Sequence, residues 1–493
     1  MSSKPTAWLP AILGLALGLA SPAAGREAPR QLGLKQRVEL ILAEAGPGTR
    51  FGLVVATADG TELVAIAPDA RFMPASNTKI FTTAAAFETL TGLDKPDVEG
   101  GTTVRLERNG RSVPDVILEG RGDARLSSAP GCLTDCLASL ADAVAAKTRV
   151  VRDVVGDDRL FPDERWSPGM SWNNIPTSSG TAISALTLDD NELALRVTPG
   201  ALGQPPKFEI ASYYSVENRA ITVPEGKTQL SFERLPGGTV VRLIGTIAVD
   251  AEPELLSLGL DEPAHYAAWR FRGLLQERGV RVTGNVTARH RPSAAPGGPV
   301  IRDIAPRPAS AGGEVLARLA PRPLAEDLRL INKVSQNVHA ELILRRVANR
   351  RGSGSIADGI AEVRAMLERA GVPRSAYDLS DGSGMSTYNR VAPRGMVKLL
   401  RWIAAQPWGA SWRSTLPVAG VDGTLAKRFR GTLLQGRLFA KTGSLNATAA
   451  LSGYLIAKSG RTLLFSAYAN DVPEDVSATK PMDAALQLIA QEN

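Results

Sequence analysis

Strand-like patterns lie at both ends of this 493-residue chain, and a long segment of different character separates them. Near the amino end, two short apolar runs flank Asp59-Gly60, a dipeptide typical of hairpin turns. Near the carboxyl end, three more runs precede a terminal helical pattern. The five runs cover residues 51–56, 62–67, 437–444, 449–457 and 462–469. They predict an α/β (α+β) domain with one antiparallel five-stranded sheet flanked by helices, into which the middle of the chain is inserted.

The middle segment, residues 95–304, alternates short strand-like runs with turns that contain glycine and proline. Helical patterns at 133–147 and 264–279 interrupt these runs. We therefore predict a first domain made of residues 26–94 and 305–493, interrupted by β-rich inserted modules in 95–304. Two nested inserted domains are expected, the inner one near residues 120–205.

The first 25 residues have the pattern of a secretory signal peptide. Lys4 supplies a positive charge, residues 8–20 form an apolar run, and Ala23-Ala24-Gly25 offers small residues for cleavage. The apolar run is shorter than the roughly 20 residues needed to span a bilayer. We expect an exported protein, for which peripheral contact with a membrane and the oligomeric state stay open.

Composition narrows the function classes. Hydrophobic residues make up 44% of the chain and charged residues 22%, as in soluble globular proteins. The net charge of +7 favours anionic surroundings, but the basic residues are scattered and aromatic residues reach only 5%. No nucleic-acid partner is therefore predicted.

The scarcity of cysteine and histidine limits the chemistry further. Cys132 and Cys136 lie four residues apart in a predicted helix, where they would either form a disulfide or pack as two small buried side chains. These two cysteines and the three histidines have no metal-ligand spacing, and no histidine has the setting of a Ser-His-Asp site. We expect neither a metal nor another cofactor.

Three short motifs carry the candidate chemistry. Ser76 and Lys79 form S-x-x-K at the start of a predicted helix, so the lysine can reach the hydroxyl of the serine. Ser335 and Asn337 form S-x-N between two helical patterns, and Lys441-Thr442-Gly443 lies near the end of a strand pattern. Each motif alone is weak. All three in this order, each in a suitable element, indicate an active-site serine activated by lysine.

With these motifs, the chain resembles the low-molecular-mass class C penicillin-binding proteins, the D-alanyl-D-alanine carboxypeptidase/endopeptidase family of serine peptidases. The likeness extends over nearly the whole mature chain. The long spacing between Ser76 and Ser335 also resembles the spacing of these motifs in that family. Similar stretches are residues 73–79, 156–166, 331–333, 335–344, 381–394, 416–425 and 440–446. The resemblance implies a β-lactamase/transpeptidase-like domain interrupted by β-rich insertions, in a periplasmic enzyme of the bacterial cell envelope.

The resemblance also implies roles for the motif residues. Ser76 would be the nucleophile, Lys79 its base, and Ser335 a proton relay to the leaving nitrogen. Asn337 would hold Lys79 and a substrate amide oxygen. The remaining motif residues would bind substrate: Lys441 and Thr442 its terminal carboxylate, Gly443 by allowing close backbone approach, and Ser444 through an oxyanion hole shared with the Ser76 N–H. For Lys79 to act as a base, its pKa must be lowered by Lys441 or by burial.

The chain departs from the family that it resembles at two positions. Family members often carry Asp and Arg where this chain has Asn174 and Thr387. The resemblance implies that this Asp and Arg bind the two charged ends of a diaminopimelate side chain. Asn174 keeps a hydrogen-bond acceptor without the charge, and Thr387 lacks the two-pronged guanidinium. We expect weak discrimination at the third position of the stem peptide, unless Arg390 or Arg394 supplies the missing charge.

The expected substrates are peptidoglycan stem peptides that end in D-Ala-D-Ala, or DD-cross-links, and β-lactam antibiotics should acylate Ser76 because they imitate this dipeptide. The sequence does not decide between carboxypeptidase and endopeptidase activity. Two alternatives stay open: a β-lactamase or esterase on the same scaffold, and a non-catalytic protein that binds the cell wall.

Overall fold

The computed structural model describes residues 32–292 and 312–493. The predicted signal peptide and the predicted domain boundary at 304/305 lie outside these ranges. Within them, no helix combines the length and the apolar character needed to cross a membrane.

Helices and strands alternate along the whole of the described chain. The helices of the described ranges are α1 Leu34–Ala43, α2 Thr78–Thr89, α3 Leu137–Lys147, α4 Pro263–Glu277, α5 Leu324–Lys333, α6 Asn337–Asn349, α7 Ile356–Arg369, α8 Pro393–Ala404, α9 Gly409–Ser414 and α10 Thr479–Glu492. The strands are β1 Arg50–Thr57, β2 Glu62–Ile66, β3 Thr103–Glu107, β4 Asp115–Glu119, β5 Val150–Val151, β6 Val154–Pro162, β7 Glu192–Thr198, β8 Lys207–Glu209, β9 Ser215–Asn218, β10 Ile221–Val223, β11 Gln229–Glu233, β12 Val240–Ala248, β13 Glu254–Gly259, β14 Arg281–Val282, β15 Val286–Arg291, β16 Glu314–Arg318, β17 Tyr377–Asp378, β18 Arg390–Val391, β19 Leu438–Leu445, β20 Thr448–Ile456 and β21 Thr462–Asn470.

Strands from the two chain ends form one sheet in the order β19-β20-β21-β1-β2. Each neighbouring pair in it is antiparallel. The predicted fold class is therefore confirmed, and β19, which carries the Lys441 motif, lies at an edge of the sheet.

Helices cover both faces of this sheet, as the alternation of side chains along β1 shows. Leu53 and Val55 belong to a core that includes residues of α1 and α10. Val54 and Ala56 point the other way, into a core formed with α2 and α5 to α8. Because both faces are covered, the strand reads as a continuous apolar run, and α2, buried at residues 78–86, lies in the middle of the larger core.

The inserted part contains further sheets around a separate core, which draws residues between Val104 and Val280. Its largest sheet has the order β15-β6-β4-β3-β16, and smaller sheets are formed by β7, β8 and β13 and by β9 to β12. Strand β16 lies beyond residue 304 and pairs with β3. The exact division into domains stays a prediction.

The helix predicted over 133–147 was wrong in its first turn, since α3 begins at Leu137. Cys132 and Cys136 form a disulfide in the loop before the helix. Asp135, inside this small ring, has a φ of 57°, which a right-handed helix does not allow.

Candidate active site

Ser76 lies in a short 3-10 turn, Ala75–Asn77, directly before α2. Lys79, in the first turn of α2, is completely buried. Its Nζ lies 2.9 Å from Ser76 Oγ, 2.7 Å from Asn337 Oδ1 and 2.6 Å from the carbonyl oxygen of Ser383. The structure therefore brings the first two motifs together around one amine. Ser76 is only half-buried, so its hydroxyl is accessible to a substrate.

The environment of Lys79 lowers its pKa to about 7. Burial is the main cause, because it disfavours the ammonium form, while the carboxylates of Asp381 and Glu341 act in the opposite direction. Near neutral pH, much of Lys79 is thus an uncharged amine that can accept a proton. Of the two causes that the sequence left open, burial accounts for the lowered pKa.

Ser335 and Lys441 form a second pair of motif residues. Lys441, also completely buried, donates from Nζ to Ser335 Oγ at 2.9 Å and to the carbonyl of Thr442 at 3.0 Å. Burial, followed by the charge of Lys79, holds the pKa of Lys441 well below its usual range. Ser335 has a φ of 68°, a left-handed conformation that costs a residue with a side chain about 1–3 kcal/mol and is concentrated at functional sites.

Strand β19 packs directly against the turn that carries Ser76. Asn77 donates from Nδ2 to the carbonyl of Lys441 at 2.8 Å. A Cβ on Gly443 would lie 2.5 Å from the carbonyl oxygen of Pro74 and 3.2 Å from the backbone nitrogen of Asn77. The glycine of the third motif is therefore required for contact between the strand and the turn, a steric reason that the sequence did not reveal.

Thr442 and Ser444 alternate with the buried Lys441 and Gly443 and are less buried than them. Thr442 Oγ1 donates to Thr424 Oγ1 at 2.8 Å. Thr424 belongs to the family-like stretch 416–425, but nothing in the sequence indicated its role in the site.

Residues 381–386, termed the 381 loop, are buried behind Lys79. The carbonyl of Ser383 is the third partner of the lysine. Gly384 has a φ of 90°, and a Cβ there would lie 2.0 Å from the carbonyl oxygen of Ala75, so this loop also contacts the Ser76 turn. The function of this loop in the site depends on contacts across the fold that composition does not encode.

One segment of the insertion, residues 168–180, lies along the site. The carbonyl of Ser179 accepts a hydrogen bond from Asn337 Nδ2 at 2.9 Å, which fixes the orientation of that amide with Oδ1 toward Lys79. At its other end, the carbonyl of Gly169 accepts from Thr387 Oγ1 at 3.0 Å. Asn174 lies between these contacts, in the 3-10 turn Trp172–Asn174.

Both arginines considered as substitutes for the missing charge have partners. Arg394 pairs with Glu62 at 2.6 Å and with Asp69, away from the motif residues. Arg390 donates from Nη1 to the carbonyls of Thr387 and Asn389, at 2.7 and 2.8 Å. Only Arg390 is therefore adjacent to Thr387.

Among residues 32–292 and 312–493, no group of three or more His, Cys, Asp or Glu side chains is arranged to hold a metal ion. Metal independence stays a prediction.

Comparison with known proteins identifies relatives over nearly the whole chain. The profile of the D-Ala-D-Ala carboxypeptidase 3 (S13) family matches residues 34–492. A D-alanyl-D-alanine carboxypeptidase from Actinomadura sp. (strain R39) is 34% identical over 479 residues, which cover 92% of this chain and 84% of the relative.

Solved structures of penicillin-binding protein 4 from Haemophilus influenzae share the fold. One has a TM-score of 0.75 at 22% identity and covers 92% of this chain and 98% of that one. A second, in complex with a β-lactam, has a TM-score of 0.72 at 22% identity and covers 92% and 99%.

Proposed function

The chain belongs to the D-Ala-D-Ala carboxypeptidase 3 (S13) family, and on that premise we propose that Ser76 is the nucleophile with which it cleaves D-Ala-D-Ala peptides. It is a low-molecular-mass class C penicillin-binding protein and a serine-type D-Ala-D-Ala carboxypeptidase of peptidoglycan. The observation that carries the site assignment is the 2.9 Å contact between Lys79 Nζ and Ser76 Oγ, made by an amine with a pKa of about 7.

Acylation begins when the neutral Lys79 amine takes the proton of the Ser76 hydroxyl. The free amine has two N–H donors and one lone pair. Since Asn337 Oδ1 and the Ser383 carbonyl each accept one N–H, the lone pair is left facing Ser76 Oγ. Ser76 Oγ then attacks the carbonyl carbon of the penultimate D-Ala. The N–H groups of Ser76 and Ser444 would stabilise the oxyanion, at roughly 3–4 kcal/mol each.

Collapse of the tetrahedral intermediate breaks the bond to the nitrogen of the terminal D-Ala, which needs a proton to leave. Ser335 would give its hydroxyl proton to this nitrogen and regain one from Lys441, and the hydrogen bond that Lys441 Nζ donates to Ser335 Oγ supports this role. Water then hydrolyses the acyl-enzyme ester and restores the Ser76 hydroxyl. The pKa of Lys79, about 7, suits this exchange, because its amine can hold or release a proton near neutral pH.

The terminal carboxylate of the substrate would bind at Thr442, close to Lys441. The Thr442 hydroxyl is oriented by Thr424, which is itself exposed. Gly423, the neighbour of Thr424, packs on the carbonyl of Lys333, whose Nζ binds both carboxylate oxygens of Asp422 at 2.7 and 2.6 Å. The Lys333–Asp422 ion pair therefore connects the segment that carries Thr424 to the residues just before Ser335.

β-Lactams would acylate Ser76 by the same steps, because their ring amide and carboxylate imitate those of D-Ala-D-Ala. Periplasmic location is part of the proposal and is supported by the signal-peptide pattern of residues 1–25. Endopeptidase activity differs only in the group that follows the scissile bond, and it is part of the proposal.

Defined muropeptides test the proposal directly. Purified enzyme should release D-Ala from a pentapeptide and separate a DD-cross-linked dimer, with products identified by mass, and Ser76→Ala should do neither. Hydrolysis of penicillin at many turnovers without peptide cleavage would instead favour the β-lactamase alternative.

A further inference from the structure

A buried carboxylate that the reaction does not use lies beneath Lys79. Asp381 is only 1% exposed. Its Oδ1 accepts hydrogen bonds from the backbone nitrogen of Gly384 at 2.9 Å and from Asn389 Nδ2 at 2.7 Å. Its Oδ2 accepts from the backbone nitrogen of Ser386 at 2.6 Å. Burial of a carboxylate is costly, and the donors around Asp381 offset that cost. This arrangement indicates a defined task for the carboxylate.

The connection to Lys79 runs through one peptide group. The carbonyl of the peptide between Ser383 and Gly384 accepts from Lys79 Nζ at 2.6 Å, and the N–H of the same peptide donates to Asp381 Oδ1. A negative charge on the N–H side polarises a peptide and increases the partial negative charge on its oxygen. Asp381 thereby strengthens the hydrogen bond between the Ser383 carbonyl and Lys79, although Asp381 itself does not contact the lysine.

A second buried carboxylate holds the preceding peptides of the same loop. Glu341 lies on α6, one turn after Asn337, and is 6% exposed. Its Oε1 accepts from the backbone nitrogens of Gly382 at 3.0 Å and Ser383 at 2.8 Å, and Oε2 pairs with Arg345 at 2.9 Å. The 381 loop is therefore fixed from two sides, by a carboxylate of its own and by one from the helix that carries Asn337.

We propose that Asp381 and Glu341 are positioning residues that hold and polarise the Ser383 carbonyl, so that Lys79 is orientated toward Ser76 as its base. The inference rests on the proposed roles of Ser76 and Lys79. Without the Ser383 acceptor, the neutral amine would rotate freely about its last bond and its lone pair would face Ser76 only part of the time.

The charges around Lys79 decide the direction of the expected pH effect. Asp381 and Glu341 raise the pKa of Lys79 against the larger effect of burial. The pKa of Asp381 is itself raised to about 6, by burial and by the charge of Glu341, so Asp381 is mostly ionised where Lys79 titrates. Lys441 is the neighbouring amine, and burial holds its pKa well below its usual range. Arg345 is bound to Glu341. Removing the charge of Asp381 leaves burial less opposed, so the ammonium form of Lys79 should lose its proton at a lower pH.

The test is the pH dependence of the second-order rate of acylation by a fluorescent penicillin in wild type, Asp381→Asn and Ser386→Ala. The last variant removes the hydrogen bond from Ser386 Oγ to the carbonyl of Pro168 and so loosens the same loop, but it keeps both carboxylates and the backbone N–H that Ser386 donates to Asp381. In Asp381→Asn, the acidic midpoint of the profile should fall by about one pH unit and the plateau by about tenfold. In Ser386→Ala, the plateau should fall while the midpoint stays.

A midpoint that is unchanged in Asp381→Asn, or that moves equally in Ser386→Ala, would overturn the proposal in favour of a purely structural role. If Asp381→Asn does not fold, Glu341→Gln serves instead, since its amide oxygen can still accept from Gly382 and Ser383. The same downward shift is then expected, and its absence is decisive. Labelling of Ser76 in wild type must precede these comparisons, because its failure would refute the proposed function itself.

Discussion

Lys79 and Asn337 are 258 positions apart in the sequence, and their side chains meet at 2.7 Å. The whole insertion lies between them, and one of its carbonyls, that of Ser179, fixes the amide of Asn337 from the far side. The insertion is thus in contact with a motif residue, Asn337, and helps to orientate it. The orientation of Lys79 then follows from two acceptors, Asn337 Oδ1 and the Ser383 carbonyl.

Substitution of Gly384 by alanine should damage the site through the Ser76 turn. The added Cβ would lie 2.0 Å from the carbonyl oxygen of Ala75, so that the turn must shift. We expect penicillin acylation to fall by about 100-fold, since misplacement of about 1 Å can cost that much. The control is Gly371→Ala, which has a similar φ of 68° but open space around its Cβ. Equal losses of acylation in the two variants would show that backbone strain alone is responsible.

His339 should make stability depend on pH in the alkaline range. It bridges Asp327 of α5 at 3.1 Å and Asp190 of the insertion at 2.8 Å. The pKa of His339 is raised to about 9, because the hydrogen bonds to Asp190 and Asp327 outweigh burial, which acts to lower the pKa. Because the folded pKa lies above the ordinary value of 6.5, this contribution is complete below pH 6.5 and is lost as pH rises through about 9.

Urea unfolding at pH 6 and pH 10 measures the effect. The free energy of unfolding of wild type should fall between these pH values by on the order of 2 kcal/mol more than that of His339→Gln. Parallel pH dependence in the two proteins would mean that folding does not shift the pKa of the histidine.

Side-chain selectivity at the third stem-peptide position should be weak, because Asn174 and Thr387 offer neutral groups. Charge-assisted hydrogen bonds contribute roughly 1.5–3 kcal/mol against about 1 for neutral ones. Peptides with a free diaminopimelate end, its amidated form and plain lysine should differ by less than about 100-fold in kcat/KM. A larger preference for the free form, lost in Arg390→Ala, would show that the neighbour of Thr387 supplies the charge.

The sequence predicted the central sheet well because its strands are apolar runs with clear turns, and the five observed strands lie within a residue or two of the predicted ones. The residues that contact Lys79 were predicted only where they belong to a motif. Ser383, Asp381 and Glu341 were missed, because a backbone carbonyl has no signature in sequence and a buried carboxylate looks like a solvated one. The first turn of α3 was misjudged since the pattern of apolar residues does not reveal the disulfide of Cys132 and Cys136.

The central claim, that Ser76 is the acylated nucleophile, is tested most directly by locating the covalent label. The protein is treated with a fluorescent penicillin and digested, and the labelled peptide is sequenced by mass spectrometry, with Ser76→Ala as the matched variant and thermal unfolding as the check on its fold. We expect one adduct on Ser76 in the wild type and none in folded Ser76→Ala. An adduct on another residue, or labelling of Ser76→Ala at the wild-type rate, would contradict it.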